Sequence, residues 1–382
     1  MATRARIDVK DKNPAAAVKD FLKKVLQAEK VGGVLVQSHL PAKGIPMPTL
    51  VTDPSRLDRA DPLAPAFAIN AAKMAARLTH GRPGQTVAAV LRSCEIRAFV
   101  ELVKLNQGSR EDILIIGFDC FGAFDNRTYR RFLAEDDPEQ STLGFLGKVG
   151  GSKETPKGYS LASACLACEH PEPLGADIII GLAGADLHEA LPVIAATPAG
   201  EALLNSLDLE AMAQGDEERR KALDALIEKR TAYRDAMFEE TGNAVSGMEA
   251  LADYLSGCVN CYNCRVACPV CYCKECVFVT DVFDHKPWQY MGWAKSRGSL
   301  KMPTDTLFYH MTRLAHMSTS CVGCGQCSNA CPNDVPVMEL FRTVAAKTQA
   351  GFEYVPGRSL EEAPPLSVFK EKEFSEVTGG AD

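Results

Sequence analysis

The sequence lacks several features that would place it in common functional classes. No apolar run approaches the roughly twenty residues that a bilayer-crossing helix needs, so we expect no membrane span. The net charge of −7 at pH 7 argues against nucleic acid or an anionic membrane surface as a partner. The charged N-terminus has no apolar segment of a secretory signal, which favours a cytoplasmic protein. No Gly-x-Gly-x-x-Gly fingerprint follows a strand, which argues against an ordinary nicotinamide dinucleotide site.

Cysteine, in contrast, is abundant, with 15 residues in a chain of 382. In a reducing cytoplasm clustered thiols serve metals rather than disulfides. Eight of the cysteines form two runs with the same spacing, Cys-x2-Cys-x2-Cys-x3-Cys-Pro. The first run contains Cys258, Cys261, Cys264 and Cys268, and the second contains Cys321, Cys324, Cys327 and Cys331.

This spacing is typical of thiolates that hold a [4Fe-4S] cluster, with the fourth cysteine of each run ligating the neighbouring cluster. The proline after it ends the helical turn, because proline has no backbone N–H to continue a helix. We therefore predict one cluster on Cys258, Cys261, Cys264 and Cys331, and a second on Cys321, Cys324, Cys327 and Cys268. Such clusters lose iron to oxygen when exposed, which favours an anaerobic setting. A pair of structural zinc sites in a regulatory module is the alternative, since zinc also favours Cys-x2-Cys pairs.

The N-terminal half predicts an α/β domain. Asn13 followed by Pro14 is typical of a helix start. Apolar strands are predicted at residues 34–37, 48–52, 86–91, 113–117 and 176–181, with helices near 14–26, 66–78 and 95–105. Strands that alternate with helices through short connections indicate a parallel sheet. The stretch 121–159 is expected to consist mainly of loops.

The chain divides into four predicted segments. They are an α/β flavin-type and iron-sulfur domain (1–205), a charged helical connection (206–244), a mainly α dicluster ferredoxin-like domain (245–345) and an extended tail (346–382). The connection carries an apolar stripe typical of a packed amphipathic helix, formed by Leu223, Leu226, Ile227, Tyr233 and Met237. The tail has little capacity to form a core, and it is expected to wrap a partner.

Four further cysteines lie in the α/β domain. Cys94 and Cys120 follow predicted strands, and Cys165 and Cys168 precede the strand at Ile178. Ligands collect at the carboxyl ends of strands in open α/β sheets, so these thiols are candidates for a third cluster. Single cysteines after strands are also common as core residues, and the spacing leaves both interpretations open. The remaining three, Cys271, Cys273 and Cys276, have no obvious fourth ligand.

Three segments resemble a known family, the beta subunits of coenzyme F420-dependent hydrogenases and formate dehydrogenases. The segments are Leu91-Arg-Ser-Cys-Glu-Ile-Arg-Ala98, Ile116-Gly-Phe-Asp-Cys120, and Cys165-Leu-Ala-Cys168 followed by Gly175-Ala-Asp-Ile-Ile-Ile-Gly181. The resemblance implies FAD on the α/β domain and a third [4Fe-4S] cluster on Cys94, Cys120, Cys165 and Cys168. The C-terminal cysteine runs resemble dicluster ferredoxin modules attached to formate dehydrogenase or heterodisulfide-reductase partners.

Candidate flavin contacts are Arg92, Arg97, Asp177 and Gly181. The planar fork of arginine suits a pyrophosphate. The alternatives are surface salt bridges for the arginines and a strand-end turn for the other two residues. Near the second run, His310 and Arg313 share a helix face, whereas His316 does not. They are candidates for tuning a cluster potential, although ordinary packing explains them too. Trp288 and Trp293 are interpreted as core or interface aromatics.

These observations favour an iron-sulfur flavoprotein subunit of an anaerobic oxidoreductase complex. FAD would exchange electron pairs with a soluble carrier such as F420, a nicotinamide or ferredoxin, and the clusters would pass single electrons to or from a catalytic partner. That partner would be a formate dehydrogenase, hydrogenase or heterodisulfide-reductase-like subunit. No side chain of this chain is then needed as nucleophile or general base. A flavin-free relay and docking subunit of the same kind of complex is the alternative.

Overall fold

The computed structural model describes residues 3–41, 44–80, 85–151, 155–212, 215–283, 286–297 and 305–367. Its N-terminal half forms one sheet, in which the described residues supply eight strands in the order β3-β2-β4-β5-β6-β7-β1-β8. The strands are β1 (Arg4–Asp8), β2 (Val31–Ser38), β3 (Met47–Val51), β4 (Thr86–Leu91), β5 (Ile113–Phe118), β6 (Ile178–Ile180), β7 (Ala190–Ala195) and β8 (Glu210–Ala211).

The centre of the sheet is parallel, as the sequence predicted, since β2, β4, β5 and β6 all run in the same direction. Its edges are antiparallel, which makes the sheet mixed. The prediction did not include β1, β7 and β8. Strand β7 contains Pro192 and β1 alternates apolar side chains with charged ones, so neither has the continuous apolar run of a buried strand.

Helices cover both faces of this sheet. They are α1 (Pro14–Gln27), α2 (Ala72–Leu78), α3 (Ser93–Lys104), α4 (Asn126–Leu133), α5 (Pro138–Gly151), α6 (Ser163–Leu166) and α7 (Pro198–Ser206). Each face of the sheet has its own hydrophobic core, and alternate residues of β4 point into one or the other. Ala88 and Val90 pack with α1, whereas Val87 and Ala89 pack with α2 and α3. Asn13 caps α1 as predicted, accepting a hydrogen bond from the backbone of Ala16 at 2.9 Å. Helices α4 and α5 correct the expectation of loops over 121–159.

The remaining described elements are helical. They are α8 (Glu217–Ala244), α9 (Met248–Tyr254), α10 (Asn263–Ala267), α11 (Pro287–Arg297), α12 (Asp305–Met317), α13 (Gln326–Asn329) and α14 (Val337–Gly351), with three short 3-10 helices at Pro54–Arg59, Val277–Val279 and Asp281–Phe283. Leu223 and Met237 of the predicted stripe on α8 are buried, together with Arg219 and Arg230. None of the described helices is long and apolar enough to cross a bilayer.

The α/β region and the cysteine-rich region share a core. Leu35, Ile96 and Ile115 of the sheet and its helices belong to the same buried cluster as Val322 and Phe341. Gln326 and Asn329 both donate side-chain hydrogen bonds to the backbone carbonyl of Phe67, at 2.9 Å each. The two regions are therefore packed together rather than joined only by a linker.

The C-terminal boundary differs from the prediction. Helix α14 continues to Gly351, past the expected boundary at 345, and the following residues pack on α3. The Tyr354 hydroxyl and the Gly357 backbone N–H donate to the buried Glu101 carboxylate at 2.6 and 2.8 Å. This part of the predicted tail is therefore held by the chain's own helix, while residues 368–382 lie outside the described residues.

Candidate electron-transfer site

The first candidate site draws its cysteines from both runs. We call it the outer cysteine set. It lines one small cavity and consists of Cys258, Cys261, Cys264 and Cys331. The fold thus brings together three thiols of the first run and the last thiol of the second, which is the grouping predicted from the spacing. Cys261 is exposed, so this set reaches the protein surface.

The second candidate site is the reciprocal group, which we call the inner cysteine set. It lines a neighbouring cavity and consists of Cys268, Cys321, Cys324 and Cys327, none of which is exposed. Nowhere in the described chain do three or more His, Cys, Asp or Glu side chains converge closely enough to hold a single metal ion. A cubane needs no such convergence on one ion, because each of its thiolates binds a different iron.

Three side chains of α12 contact the sulfur atoms of the outer set. Arg313 donates from Nη1 to the Cys264 Sγ at 3.1 Å and from Nη2 to the Cys264 carbonyl at 3.2 Å. The Tyr309 hydroxyl lies 3.3 Å from the same sulfur, and His310 Nε2 lies 3.4 Å from the Cys258 Sγ. His316 is exposed. His310 and Arg313 therefore contact the sulfur atoms of the outer set and do more than pack in the core. Tyr309 makes the same kind of contact, although nothing in the sequence distinguished it.

Burial and neighbouring charges have opposite effects on the pKa of Arg313 in these cavities. Burial raises the pKa of the Cys324 and Cys327 thiols, so their thiolates need a positive charge to be stable. Burial alone would lower the pKa of Arg313, but neighbouring Cys264 and Tyr309 outweigh it, and the net effect is a raised pKa. Arg313 is therefore a permanent cation between the two sets, since it also lines the inner cavity.

The cysteines of the α/β domain also converge, and we call them the N-terminal cysteine set: Cys94, Cys120, Cys165 and Cys168. Burial raises the pKa of Cys94, and neighbouring Glu95, Cys324, Cys120 and Cys168 raise it further. Burial and then Cys120 raise the pKa of Cys165 to about 11. The fold thus brings all four thiols near one another, and it places Cys94 near the inner set.

Glycine allows the N-terminal and inner sets to approach. Gly325 follows Cys324 with φ +75°, and Ala164 precedes Cys165. A Cβ added at Gly325 would lie 2.4 Å from the Ala164 Cβ, which is closer than atoms can pack. A side chain here would force α6 and the second cysteine run apart.

A cavity of about 700 Å³ adjoins the N-terminal set. Phe121 and Leu166, the neighbours of Cys120 and Cys165, line it together with basic side chains of α8. Arg230 donates from Nη1 to the Cys120 carbonyl at 3.2 Å, and its buried Nη2 has no hydrogen-bond partner among the described residues. This cavity does not follow from the sequence predictions above; its clearest signal in the sequence is the cluster of basic residues on α8.

The four candidate flavin contacts do not line this cavity. Arg92 is buried, donates to the Ala64 carbonyl at 2.9 Å and keeps one unpartnered nitrogen, whereas Arg97 donates to the carbonyls of Pro356 and Val322 at 3.0 and 3.2 Å. Asp177 lies before β6, at the opposite end of that strand from Gly181. There it accepts hydrogen bonds from Arg110, Thr197 and the Ile115 backbone. Asp177 and Gly181 therefore lie at opposite ends of β6, and both arginines donate hydrogen bonds within the chain, while a flavin contact by these four residues stays a prediction.

The three unassigned cysteines do not form a set of their own among the described residues. The backbone of Cys271 donates to the Cys268 carbonyl at 3.3 Å, Cys273 is exposed, and Cys276 is half-buried. Their function stays open, as it was from the sequence.

Comparison with known proteins finds one matching domain family and several relatives. The 4Fe-4S dicluster domain family matches residues 254–335. The F420-dependent formate dehydrogenase subunit beta of Methanocaldococcus jannaschii is 25% identical over 374 residues, covering 92% of this chain and 93% of the relative. Subunit beta of the F420-dependent formate dehydrogenase 1 of Methanococcus maripaludis is 28% identical over 306 residues, covering 73% and 74%.

Among solved structures, a chain of the F420-reducing [NiFe] hydrogenase complex from Methanosarcina barkeri covers 65% of this chain and 94% of its own length. The identity is 18% and the TM-score is 0.45, a likeness too low to support an assignment.

The fold and the cysteine sets define an iron-sulfur electron-transfer protein with a 4Fe-4S dicluster domain. The resemblance to the beta subunits of F420-dependent enzymes, read from the sequence, is confirmed by the named relatives. Because those relatives are oxidoreductase subunits, the prediction of an oxidoreductase subunit is confirmed as well.

Proposed function

We propose that the chain is the flavin-bearing and cluster-bearing subunit of an oxidoreductase complex. FAD binds in the 700 Å³ cavity, and three [4Fe-4S] clusters on the N-terminal, inner and outer sets connect it to a catalytic subunit. The observation that carries this proposal is that the cavity and the three cysteine sets lie in order from the cavity to the outer set, each one next to the following one in the fold. The cavity adjoins the N-terminal set, Cys94 lies near Cys324 of the inner set, and Arg313 contacts both the inner cavity and Cys264 of the outer set.

The cavity suits a large, anionic, aromatic ligand. Its volume lies in the range of roughly 300–1,000 Å³ that cofactor sites occupy. Its wall combines the rings of Phe121, Tyr159 and Tyr233 with four cationic side chains and one acidic one. The cations are Lys157, Lys221, Lys229 and Arg230, and the acid is Glu218. Aromatic walls suit a flat ring system, and the excess of positive charge suits a pyrophosphate.

A bound flavin supplies the exchange between two-electron and one-electron chemistry. The chain itself supplies position and electrostatics. Arg230 is fixed by its bond to the Cys120 carbonyl, and its free Nη2 is a buried donor between the cavity and the N-terminal set. Arg313 donates to a sulfur of the outer set, which stabilises added negative charge there and favours electrons moving outward.

The carrier and the partner reaction are inferred from the relatives. Both are named as F420-dependent formate dehydrogenase subunits, so we infer F420 as the carrier and a formate-oxidising catalytic subunit as the partner. An assay of electron carriers could instead identify a nicotinamide or ferredoxin as the carrier. An assay of partner proteins could identify a hydrogenase or a heterodisulfide reductase as the partner.

Cofactor content tests this proposal against the flavin-free relay. Anaerobic purification followed by acid extraction should release about one FAD and about twelve irons per chain, from four irons in each of three clusters. About eight irons with no flavin would favour the relay. Zinc in place of iron, with no visible absorption, would contradict both.

A further inference from the structure

We propose that the ion pair between Glu169 and Arg342 sets the difference in reduction potential between the N-terminal and inner clusters. The two residues are positioning residues for electron transfer. The acidic end of the pair lies beside the N-terminal set, and the basic end lies beside the inner set. The inference rests on the proposed function in one respect, that both sets hold clusters through which electrons pass from the flavin.

The acidic end of the pair belongs to the chain segment that carries the N-terminal set. Glu169 directly follows Cys168. Its Oε2 pairs with Arg342 of α14, and its Oε1 lies 3.3 Å from Nη1 of Arg234 on α8. Arg234 also pairs with Asp235 at 2.7 Å, whereas no other carboxylate among the described residues pairs with Arg342. Arg342 is therefore the main partner of the Glu169 charge.

The basic end of the pair packs on the loop of the inner set. Gly323 lies between Cys321 and Cys324, and a Cβ added there would be 3.0 Å from Cδ and Nε of Arg342 and 3.1 Å from its Cζ. Arg342, Glu169 and Cys321 also line one cavity of about 560 Å³. The guanidinium group therefore lies against the backbone that joins two cysteines of the inner set.

Apolar packing surrounds the connection between the two sets. One small buried cluster joins α6, α8 and α14, and it consists of Ala164, Ala167, Met237 and Met338. Cys327 of the inner set packs against this cluster. Met338 precedes Arg342 by about one helical turn, and Ala167 precedes Glu169 by two residues, so the ion pair continues the same contact.

The ion pair is shielded from solvent. The side chain of Arg342 is 9% exposed and that of Glu169 is 23% exposed. Water and salt screen charges with this degree of burial less than they screen surface charges. The two charges therefore act on the neighbouring clusters over a short distance with little screening.

The orientation of the pair determines its effect. A negative charge beside a cluster disfavours an added electron and lowers the reduction potential, whereas a positive charge raises it. Glu169 therefore lowers the potential of the N-terminal cluster relative to the inner one, and Arg342 raises the potential of the inner cluster. The resulting difference favours electrons passing from the N-terminal set to the inner set, away from the flavin.

A third charge in this region does not produce such a difference. Arg97 follows Cys94 of the N-terminal set by three residues on α3, and it donates from Nη1 to the Val322 carbonyl in the inner loop at 3.2 Å. Since Arg97 belongs to one set and contacts the other, it favours reduction of both. The Glu169–Arg342 pair therefore separates the two potentials.

Redox titration monitored by EPR on the anaerobically purified full chain tests this proposal. Cys120→Ala and Cys321→Ala assign the signals, because each removes a ligand of one cluster. Glu169→Gln should raise the potential of the N-terminal cluster more than that of the inner one, and Arg342→Gln should lower the inner potential more. Each variant should change the equilibrium between the two clusters at least about threefold, which is about 28 mV at about 59 mV for each factor of ten.

Three further variants separate charge from packing. Arg342→Lys keeps the cation and should keep most of the difference in potential. Glu169→Gln combined with Arg342→Gln leaves neither residue as an unpaired charge, which guards against misfolding, and it should give the smallest difference. Lys23→Gln, at a lysine that pairs with Asp58 at 2.8 Å on α1, should leave both potentials unchanged. Every one of these variants should keep about twelve irons per chain.

Two results would overturn the proposal. An unchanged difference in potential in the double variant would show that the pair does not set it. An equal loss of the difference in Arg342→Lys and Arg342→Gln would show that packing, rather than charge, sets it.

The cofactor content separates failure of this inference from failure of the proposed function. About eight irons and no flavin in the unsubstituted chain would overturn the proposed function and this inference with it. About one FAD and twelve irons, with an unchanged difference in potential in the double variant, would overturn the inference alone.

Discussion

The outer and inner cysteine sets have the same sequence spacing but different surroundings. The outer set has one exposed cysteine and receives hydrogen bonds or close polar contacts from Arg313, Tyr309 and His310. The inner set has no exposed cysteine and lies between the α/β core and the cysteine-rich helices. Hydrogen bonds to sulfur and solvent exposure are among the factors that set a cluster's potential. We therefore predict that clusters on the two sets have different reduction potentials, with the outer one the more easily reduced.

The largest expected effect comes from removing a ligand of one set. Cys264→Ala should eliminate the outer cluster and about four irons, while the EPR signals of the inner and N-terminal clusters persist. Cys273→Ala is the matched control, because that cysteine is exposed and belongs to no set. Equal iron loss in both variants would show that the two runs do not hold separate clusters.

The second effect tests the close approach between the inner and N-terminal sets. Gly325→Ala should lower the unfolding free energy by about 1–3 kcal/mol, because the added methyl group meets Ala164 at a positive φ. Anaerobic thermal unfolding measures the change. Gly257→Ala is the control, since its Cβ would meet Val335 at an ordinary 3.5 Å. Equal stability of the two variants would contradict the packing described here.

The third effect concerns the predicted difference in reduction potential between the outer and inner clusters. Arg313→Gln should shift the outer cluster to a more negative potential, because the reduced cluster loses a charge-assisted hydrogen bond on Cys264. EPR-monitored redox titration resolves the clusters, and the shift should be larger for the outer cluster than for the inner one. Arg358→Lys, at an exposed arginine paired with Glu362, should leave both potentials unchanged. An equal shift of both clusters in Arg313→Gln would remove the basis of the comparison.

The smallest expected effect concerns the chain segment after α14, which packs beside the inner cysteine set. The chain beyond α14 lines another cavity beside Cys321, and it is anchored by the hydrogen bond from Tyr354 to Glu101. Tyr354→Phe removes one donor from a buried carboxylate, at a cost of about 1–3 kcal/mol. Iron release to a chelator should become faster for the inner cluster. Tyr272→Phe, at a partly exposed tyrosine, should release iron at the original rate.

The sequence predicted the features that depend on local spacing. The outer and inner cysteine sets follow from the spacing of the motif, in which the fourth cysteine of each run joins the three cysteines of the other run. Strands β4 and β5 follow from short apolar runs. The large cavity could not be predicted in this way, because Phe121, Tyr159 and Arg230 come from distant parts of the chain and meet only in the folded protein. The contact of Tyr309 with Cys264 was likewise hidden, since an aromatic residue on a helix is usually a core residue.

The candidate flavin residues show the limit of motif reading. Arg92, Arg97 and Asp177 are predicted flavin contacts because they carry charge near predicted strand ends, and each has hydrogen-bond partners within the chain. Asp177 is the clearest case, because it precedes its strand and so lies at the opposite end of the parallel strands from Cys94 and Cys120. Buried polar groups are normally hydrogen-bonded, so a charge near a strand end is not by itself evidence of a ligand site.

The central claim is that electrons travel from the flavin cavity through the N-terminal set to the outer set. The most direct test reduces the isolated, cofactor-loaded chain with reduced F420 and follows the flavin by absorbance and the outer cluster by EPR. In Cys94→Ala the flavin should still be reduced, while reduction of the outer cluster should slow by at least about a hundredfold. Reduction of the outer cluster at the original rate in that variant would contradict the account.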